Sequence, residues 1–442
     1  MDEGQTPEAV PARARRAGQA EAPARSYADP RVWTERMSTA LEEGVKGGKW
    51  YSLMDKVHPE ATLRAAFARV EANDGASGVD HVSVGMFGAG LDANLERLGE
   101  ALRTGTYRPQ AIRRHYIPKP GSQEQRPLGI PTVRDRVVQT ALRLVLEPIF
   151  ERDFAPHSHG FRPGRGCKDA LRRVDELLKD GHAHVVDADL KSYFDTIPHE
   201  RLLTLVGSKV SDGKIMELVG RFLKQGILDG LRTWTPEGGT PQGAVISPLP
   251  SNIYLDPLDH LMAGAGFEMV RYADDFVVMC RDEAQAARAL AMVRQWTAEA
   301  GLTLHPAKTR LVDARSGSFE FPGYRFEAGR RWPRAKSLAK FRDGVRDKTR
   351  RTSGQSLGTI IAALNSSLRG WFGYFRHSHR ATFGDLDGWI RGRLRSLLRR
   401  RRGAKGIARG EDNHRWPNAF FAGHGLFSLK DAHALACRSP RG

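Results

Sequence analysis

The chain has 442 residues, with 69 Lys+Arg against 51 Asp+Glu and a formal net charge of +18. That length predicts about two to four domains, and 40% apolar with 27% charged residues excludes a mostly disordered chain. Three scattered cysteines (Cys167, Cys280 and Cys437) exclude a disulfide framework and a Cys-rich zinc module and point to a reducing compartment, while no apolar run is long enough to span a membrane.

Residues 1–30 are rich in Ala, Pro, Arg and Glu, without an apolar period, and are expected to be disordered. Arg15 and Arg16 have no apolar stretch behind them, so they do not open a secretory signal. Helical patterns follow at 31–43 and 60–72, then a turn-rich loop, Asn73 to Gly78, and a further helix from Leu91 to Leu102. From Arg113 the pattern changes to short apolar runs punctuated by Pro and Gly. Val137, Val138, Ala141, Leu142, Val145, Leu146 and Ile149 then fall on one face of a helix. His184 to Leu190 reads as a buried strand. Met269 to Tyr272 and Phe276 to Cys280 read as the arms of a hairpin broken at Asp274-Asp275. An Ala-rich helix spans Glu283 to Glu299. Beyond Arg330 the pattern is helical, and Leu357, Ile360, Ile361, Leu364, Leu368, Trp371, Phe372 and Phe375 form an apolar stripe at helical spacing. The period favours helix core over a base-stacking surface for the aromatics of this stripe.

The excess charge is not spread evenly. Residues 331–442 hold 25 Lys/Arg against 7 Asp/Glu, an excess equal to that of the whole chain, so the first 330 residues are neutral on balance. The densest stretch, Arg391 to Arg409, has nine basic residues and no acidic one. Such a run is either a solvated helix face or a surface for a polyanion, and its density favours nucleic acid.

Asp189 closes one apolar strand, and Asp274-Asp275 lie between two apolar arms. An Asp pair in a turn commonly just bonds its own backbone. Apolar neighbours make this pair costly, because carboxylates ~4 Å apart repel by roughly 4 kcal/mol at an effective dielectric of about 20. A cation between them removes that cost. Carboxylate oxygen suits Mg²⁺, and a pair of such ions supports in-line phosphoryl transfer. Spacing alone does not bring Asp189 to the pair.

Tyr272-Ala273-Asp274-Asp275, taken with Asp189-Leu190-Lys191-Ser192-Tyr193-Phe194-Asp195, resembles the catalytic motifs of reverse transcriptases, and among them the bacterial group II intron-encoded reverse transcriptase/maturases. Further motifs follow in the family's order. Arg126-Pro127-Leu128-Gly129-Ile130-Pro131 resembles the fingers motif, and Gly239-Thr240-Pro241-Gln242-Gly243 the turn beneath the incoming base pair. His305-Pro306-Ala307-Lys308-Thr309 resembles the palm lysine motif, and Phe321-Pro322-Gly323-Tyr324 the primer grip. Trp371 to Phe375, Arg415 to Asn418 and Gly425 to Leu429 resemble the maturase thumb and tail.

The resemblance implies an α+β right-hand polymerase: fingers and palm with antiparallel sheet, then a helical thumb/maturase domain and a basic tail. Residues 31–112 would form an N-terminal extension and the start of the fingers. Residues 113–330 would be fingers and palm, 331–405 thumb, and 406–442 a nucleic-acid-binding tail. Asp189, Asp274 and Asp275 would hold two Mg²⁺ ions and carry nucleotidyl transfer. Lys119, Arg126, Leu190, Phe194, Gln242 and Lys308 would bind the dNTP. Arg126 would do so through its fork, Phe194 by excluding a 2′-hydroxyl, and Lys308 by assisting the leaving pyrophosphate. Arg369, Arg376, Arg391, Arg399, Arg400, Arg401 and Arg402 would bind RNA. Asp187 and Asp195 are expected to be structural.

The implied partners are group II intron RNA, an RNA template with a DNA primer, target DNA and dNTPs, with no membrane. The implied location is the bacterial cytoplasm, at the nucleoid. No paired cysteines follow Cys280, so the zinc-associated endonuclease domain of some members is expected to be absent. Other readings keep part of this picture: a splicing maturase with a vestigial polymerase, a free-standing host-adopted reverse transcriptase, or an RNA-dependent RNA polymerase. Ala273 and Phe194 speak against the last.

Overall fold

The computed structural model describes residues 27–118 and 125–438. Of the stretch 1–30 expected to be disordered, residues 1–26 lie outside the described residues, as does the expected dNTP contact of Lys119; its last residues are held in the fold, where buried Asp29 pairs with Arg31 and Arg69. The first strands in chain order are β1 (Ile112–Pro118), β2 (Gln125–Ile130), β3 (His184–Asp189), β4 (Ile227–Asp229) and β5 (Arg232–Trp234). Then come β6 (Glu268–Tyr272), β7 (Asp275–Cys280), β8 (Arg310–Asp313), β9 (Ser318–Phe321), β10 (Tyr324–Glu327) and β11 (Arg330–Pro333). They pair as three sheets, in the orders β2-β1-β4-β5, β6-β7-β3-β8 and β11-β10-β9. With helices before, between and after them, the fold is α+β, as expected.

Helix Val133–Glu151 starts where the Thr132 hydroxyl accepts from the Asp135 amide at 3.2 Å. The sequence shows one apolar face, but nearly every residue of this helix is buried, Asp135 and Gln139 included. The reason is its central position: helix Glu60–Asn73 packs on one side and helix Pro248–Gly264 on another. The polar residues survive burial because they are bonded. Asp135 accepts from the Tyr107 hydroxyl at 2.5 Å and the Gln110 amide at 3.0 Å.

The sheet β6-β7-β3-β8 is antiparallel throughout and separates two cores. Alternation along the strands sends Val186, Ala188, Phe276 and Val278 into the main core, which includes the helices. Val185, Val270, Val277 and Met279 face a second core that includes Phe319, Phe321, Tyr324 and Phe326 from β9 and β10. A third core joins helices Ala335–Lys348, Leu357–Phe375 and Ala381–Arg401 to the last residues through Val345, Leu364, Phe383, Leu394 and Phe421. In helix Leu357–Phe375 the predicted stripe is buried at Ile360, Ile361, Leu364, Leu368 and Phe375, and Trp371 and Phe372 pack half-buried against it. The stripe is core. Among the described residues no helix is long and apolar enough to cross a membrane.

Candidate active site

The register of β3 against β7 brings the predicted carboxylates together. Asp189 stands directly opposite Asp275, so the two side chains share a face, and their Cβ atoms are expected about 5 Å apart. The hairpin break is tighter than the sequence reading placed it. Tyr272 pairs with Asp275, which leaves Ala273 and Asp274 as the two turn residues, with Ala273 in the left-handed region at φ 60°. Like charges directly opposite one another destabilise a sheet, and here burial adds to the cost. The Asp275 carboxyl is pushed up to about 7, first by burial and then by the charges of Asp274, Asp189 and Asp187. Asp274 is also raised, again mainly by burial, and Arg126 acts in the opposite direction.

A buried cluster beneath the turn keeps it in place. Arg271, fully buried in β6, donates to the Asp259 carboxylate at 2.9 and 2.5 Å, to Asn252 Oδ1 at 3.0 Å and to the Ala273 carbonyl at 2.8 Å. Gly160 lies against the same turn, and a Cβ there would stand 2.1 Å from the Ala273 nitrogen. Sequence reading missed both residues. A visible signal for Arg271 was a guanidinium inside an otherwise apolar strand.

The other predicted residues divide. Exposed Arg126 on β2 lies opposite Ile117 in the register. Phe194 is half-buried, edge-on to Tyr193 at 5.5 Å and to the exposed Phe161 at 6.3 Å. Phe194, Asp195 and Gln242 line a cleft of about 520 Å³ together with Arg114 and Trp234. The cleft lining includes none of the three catalytic candidates, so it extends the site toward the β1 sheet rather than containing it. The loop at its floor is close-packed. Gly243, at φ 97°, could not accept a Cβ, which would meet the Gly129 carbonyl at 2.7 Å. Gln242 donates to Asp195 at 3.4 Å.

The Leu190 side chain is buried in the main core, so it would meet a nucleotide only through its backbone. Lys308 forms an ion pair with Asp189, so its ammonium sits on a catalytic candidate. As the side chains stand, no three His, Cys, Asp or Glu among the described residues are grouped to hold a metal. The donor chemistry nevertheless suits a divalent ion: Asp189 and Asp275 face each other across two strands with Asp274 at the adjoining turn, and burial and then the neighbouring carboxylates disfavour a bare charge on Asp275. Asp187 pairs with Arg310 at 3.2 Å, which supports a structural role.

In the basic helix Ala381–Arg401 and the residue after it, the arginines do unequal work. Arg399 is held inward by Asp412 at 3.1 Å, and Arg401 donates to the carbonyls of Gln355 and Ser353. Arg395, in the same run, is buried on the Trp416 carbonyl at 2.9 Å. Arg400 and Arg402 are exposed, and among the described residues their side chains make no ion pair or hydrogen bond. Half-buried Arg391 is likewise free of such a partner among the described residues. Arg369 lies over the Phe427 ring at 5.3 Å, and Arg376 donates to His377 at 3.1 Å.

A family model for reverse transcriptase (RNA-dependent DNA polymerase) matches residues 117–326, and one for the group II intron maturase-specific domain matches residues 338–416. The chain thus carries a reverse transcriptase domain followed by a group II intron maturase-specific domain. Group II intron-encoded protein LtrA of Lactococcus lactis subsp. cremoris is 42% identical over 168 residues, 38% of this chain and 28% of LtrA. Protein YkfC of Escherichia coli (strain K12) is 44% identical over 190 residues, 42% of this chain and 49% of YkfC. The matches thus span less than half the length of either relative. A solved partial Cas6-RT-Cas1–Cas2 complex is 24% identical, covering 56% of this chain and 41% of that chain at a TM-score of 0.37. The first matched region holds all three candidate carboxylates, and the second holds Arg369 to Arg402.

Proposed function

We propose that this chain is an RNA-directed DNA polymerase that also binds group II intron RNA and assists its splicing and retrohoming. The observation that carries the polymerase reading is the facing of Asp189 and Asp275 across β3 and β7, with Asp274 at the adjoining turn tip. These three side chains would hold two divalent ions, Mg²⁺ by ligand chemistry. When bound, the ions would supply Lewis acidity toward a primer 3′-hydroxyl and a leaving phosphate. The chain's own residues do the rest. Arg126, whose charge acts on Asp274 from the β1–β2 hairpin, would neutralise the dNTP triphosphate. Phe194 would exclude a 2′-hydroxyl, leaving its polar group unpaired, and Gln242 would line the nascent pair. Lys308, paired with Asp189, would assist the leaving pyrophosphate by donating a proton to it. The turn Phe321 to Tyr324 would hold the primer end.

The RNA-binding reading rests on the exposed, unengaged guanidiniums of Arg400 and Arg402 together with Arg369, Arg376 and Arg391. Arg399 and Arg401 would contribute mainly by holding that surface in shape. The test is primer extension on an RNA template with dNTPs. Asp274→Asn with Asp275→Asn should abolish extension while retaining RNA binding, and undiminished extension would defeat the assignment.

A further inference from the structure

The second core contains a contact between distant parts of the chain that the chemistry above does not use. Tyr324, the first residue of β10, donates its hydroxyl to the Tyr374 carbonyl at 2.7 Å. Tyr374, in helix Leu357–Phe375, donates its hydroxyl to the Pro322 carbonyl at 2.8 Å. The exchange is reciprocal: each phenol bonds the backbone of the other's segment, and the rings stack with centroids 5.9 Å apart. The Cys167 sulfur touches the same Tyr374 hydroxyl at 2.6 Å. The next carbonyl of the turn, that of Gly323, accepts from the Arg334 amide at 3.0 Å. Two successive carbonyls are therefore held from outside the turn.

The turn has little freedom to adapt if these bonds are removed. Gly323 has φ 82°, and a Cβ there would lie 3.2 Å from the Tyr374 ring and hydroxyl. Pro322 has no N–H with which to form an alternative bond. Tyr272, adjacent to the catalytic turn, packs against the same core as Tyr324 and Tyr374. The Phe321–Tyr324 turn and the Asp274–Asp275 hairpin are thus two edges of one packed unit; the helical domain packs on it through Trp371, Tyr374 and Phe375, and of these Tyr374 bonds the turn's backbone.

We propose that Tyr374 is a positioning residue for the primer: paired with Tyr324, it fixes the Phe321–Tyr324 turn, so that seating of helix Leu357–Phe375 determines how well the primer terminus is held. This rests on the reading of that turn as the primer-holding element. Tyr374 acts through the turn and touches no reacting atom, so its loss should weaken capture of the duplex more than chemistry on a bound duplex. A misplacement of about 1 Å away from the chemistry suffices to be felt.

The experiment is steady-state single-nucleotide addition by the full chain on a defined RNA template–DNA primer duplex at saturating dNTP. Tyr374→Phe, which keeps the ring and removes the hydroxyl, should raise KM for the duplex roughly 3–10-fold, the size of one hydrogen bond, with kcat changed by less than about twofold. Tyr324→Phe should do the same. The double variant should resemble either single rather than their product, because the two hydroxyls act as one clasp. An unchanged KM in Tyr374→Phe beside normal wild-type extension overturns the inference alone. A fall in kcat that tracks a lowered melting temperature, at constant KM, also overturns it, since that is a purely structural effect. Absence of extension by the wild-type chain defeats the polymerase reading and this inference with it.

Discussion

The carboxylate face of the sheet β6-β7-β3-β8 and the arginine-rich surface of the helical domain are opposite answers to the placement of charge. On the sheet, like charges are forced together by strand register, desolvated, and left dependent on something cationic. On the helices, like charges are spread along an exposed surface, and many are already satisfied by carbonyls or by Asp412. Crowded buried charge makes function all-or-none, because each group sets the state of the others. Dispersed exposed charge makes it graded, because each phosphate bound adds a separable increment.

The sharpest break of that comparison is at the carboxylates. A single Asp275→Asn change should lower primer extension by about 10³-fold or more, several kcal/mol of lost charge stabilisation. Affinity for RNA should barely move. A graded loss here, like that expected of an arginine, would erase the distinction. Next in size is the support beneath the turn. Arg271→Met leaves Asp259 buried without its partner and frees the Ala273 carbonyl, a change expected to cost about 3–5 kcal/mol. Urea denaturation followed by circular dichroism would measure it. A loss under about 1 kcal/mol would mean Asp259 simply takes up a proton, as burial already inclines it to do.

Phe194, the proposed nucleotide gate, lies between the two extremes, being half-buried and apolar. Phe194→Ala should narrow the preference for dNTP over rNTP by roughly 10–100-fold, chiefly through improved rNTP use. Competitive single-nucleotide incorporation would show it. A wild-type preference for rNTP would refute the DNA-polymerase assignment outright.

Much of this was legible in the sequence, for identifiable reasons. Continuous apolar runs located β3 and the β6–β7 arms, because these strands are buried against a core on each face, and an Ala-rich stretch located helix Glu283–Glu299. Asp189 and Asp274–Asp275 could be named but not brought together by spacing, since their meeting depends on a β3–β7 register that spans the intervening helices. The motif position of Leu190 does not say which way its side chain points. Here alternation sends it to the main core. Arg399 and Arg400 look equivalent as neighbours in a run, yet helix rotation turns one inward to Asp412 and leaves the other exposed. The Tyr324–Tyr374 clasp left no local pattern at all, because each hydroxyl bonds a backbone atom about 50 residues away.

The smallest effect belongs to those neighbouring arginines, and it sharpens the comparison most finely. If Arg400 and Arg402 meet phosphate, Arg400→Gln with Arg402→Gln should weaken RNA binding only several-fold at moderate salt. It should also make the dependence of log affinity on log salt shallower by roughly 0.7–0.9 for each phosphate no longer neutralised. Melting temperature should stay near that of the unaltered chain, because neither side chain has an internal partner among the described residues. Arg399→Gln should behave the other way: it removes the charged partner of the buried Asp412 carboxylate, which keeps only the Arg409 amide at 2.7 Å, so melting temperature falls while the salt slope holds. Filter binding across a salt series, with thermal denaturation alongside, separates the two. Equal slopes for all three proteins would place the RNA surface elsewhere, whereas a split between slope and stability would show that adjacent charges in one run divide into scaffold and RNA-facing groups.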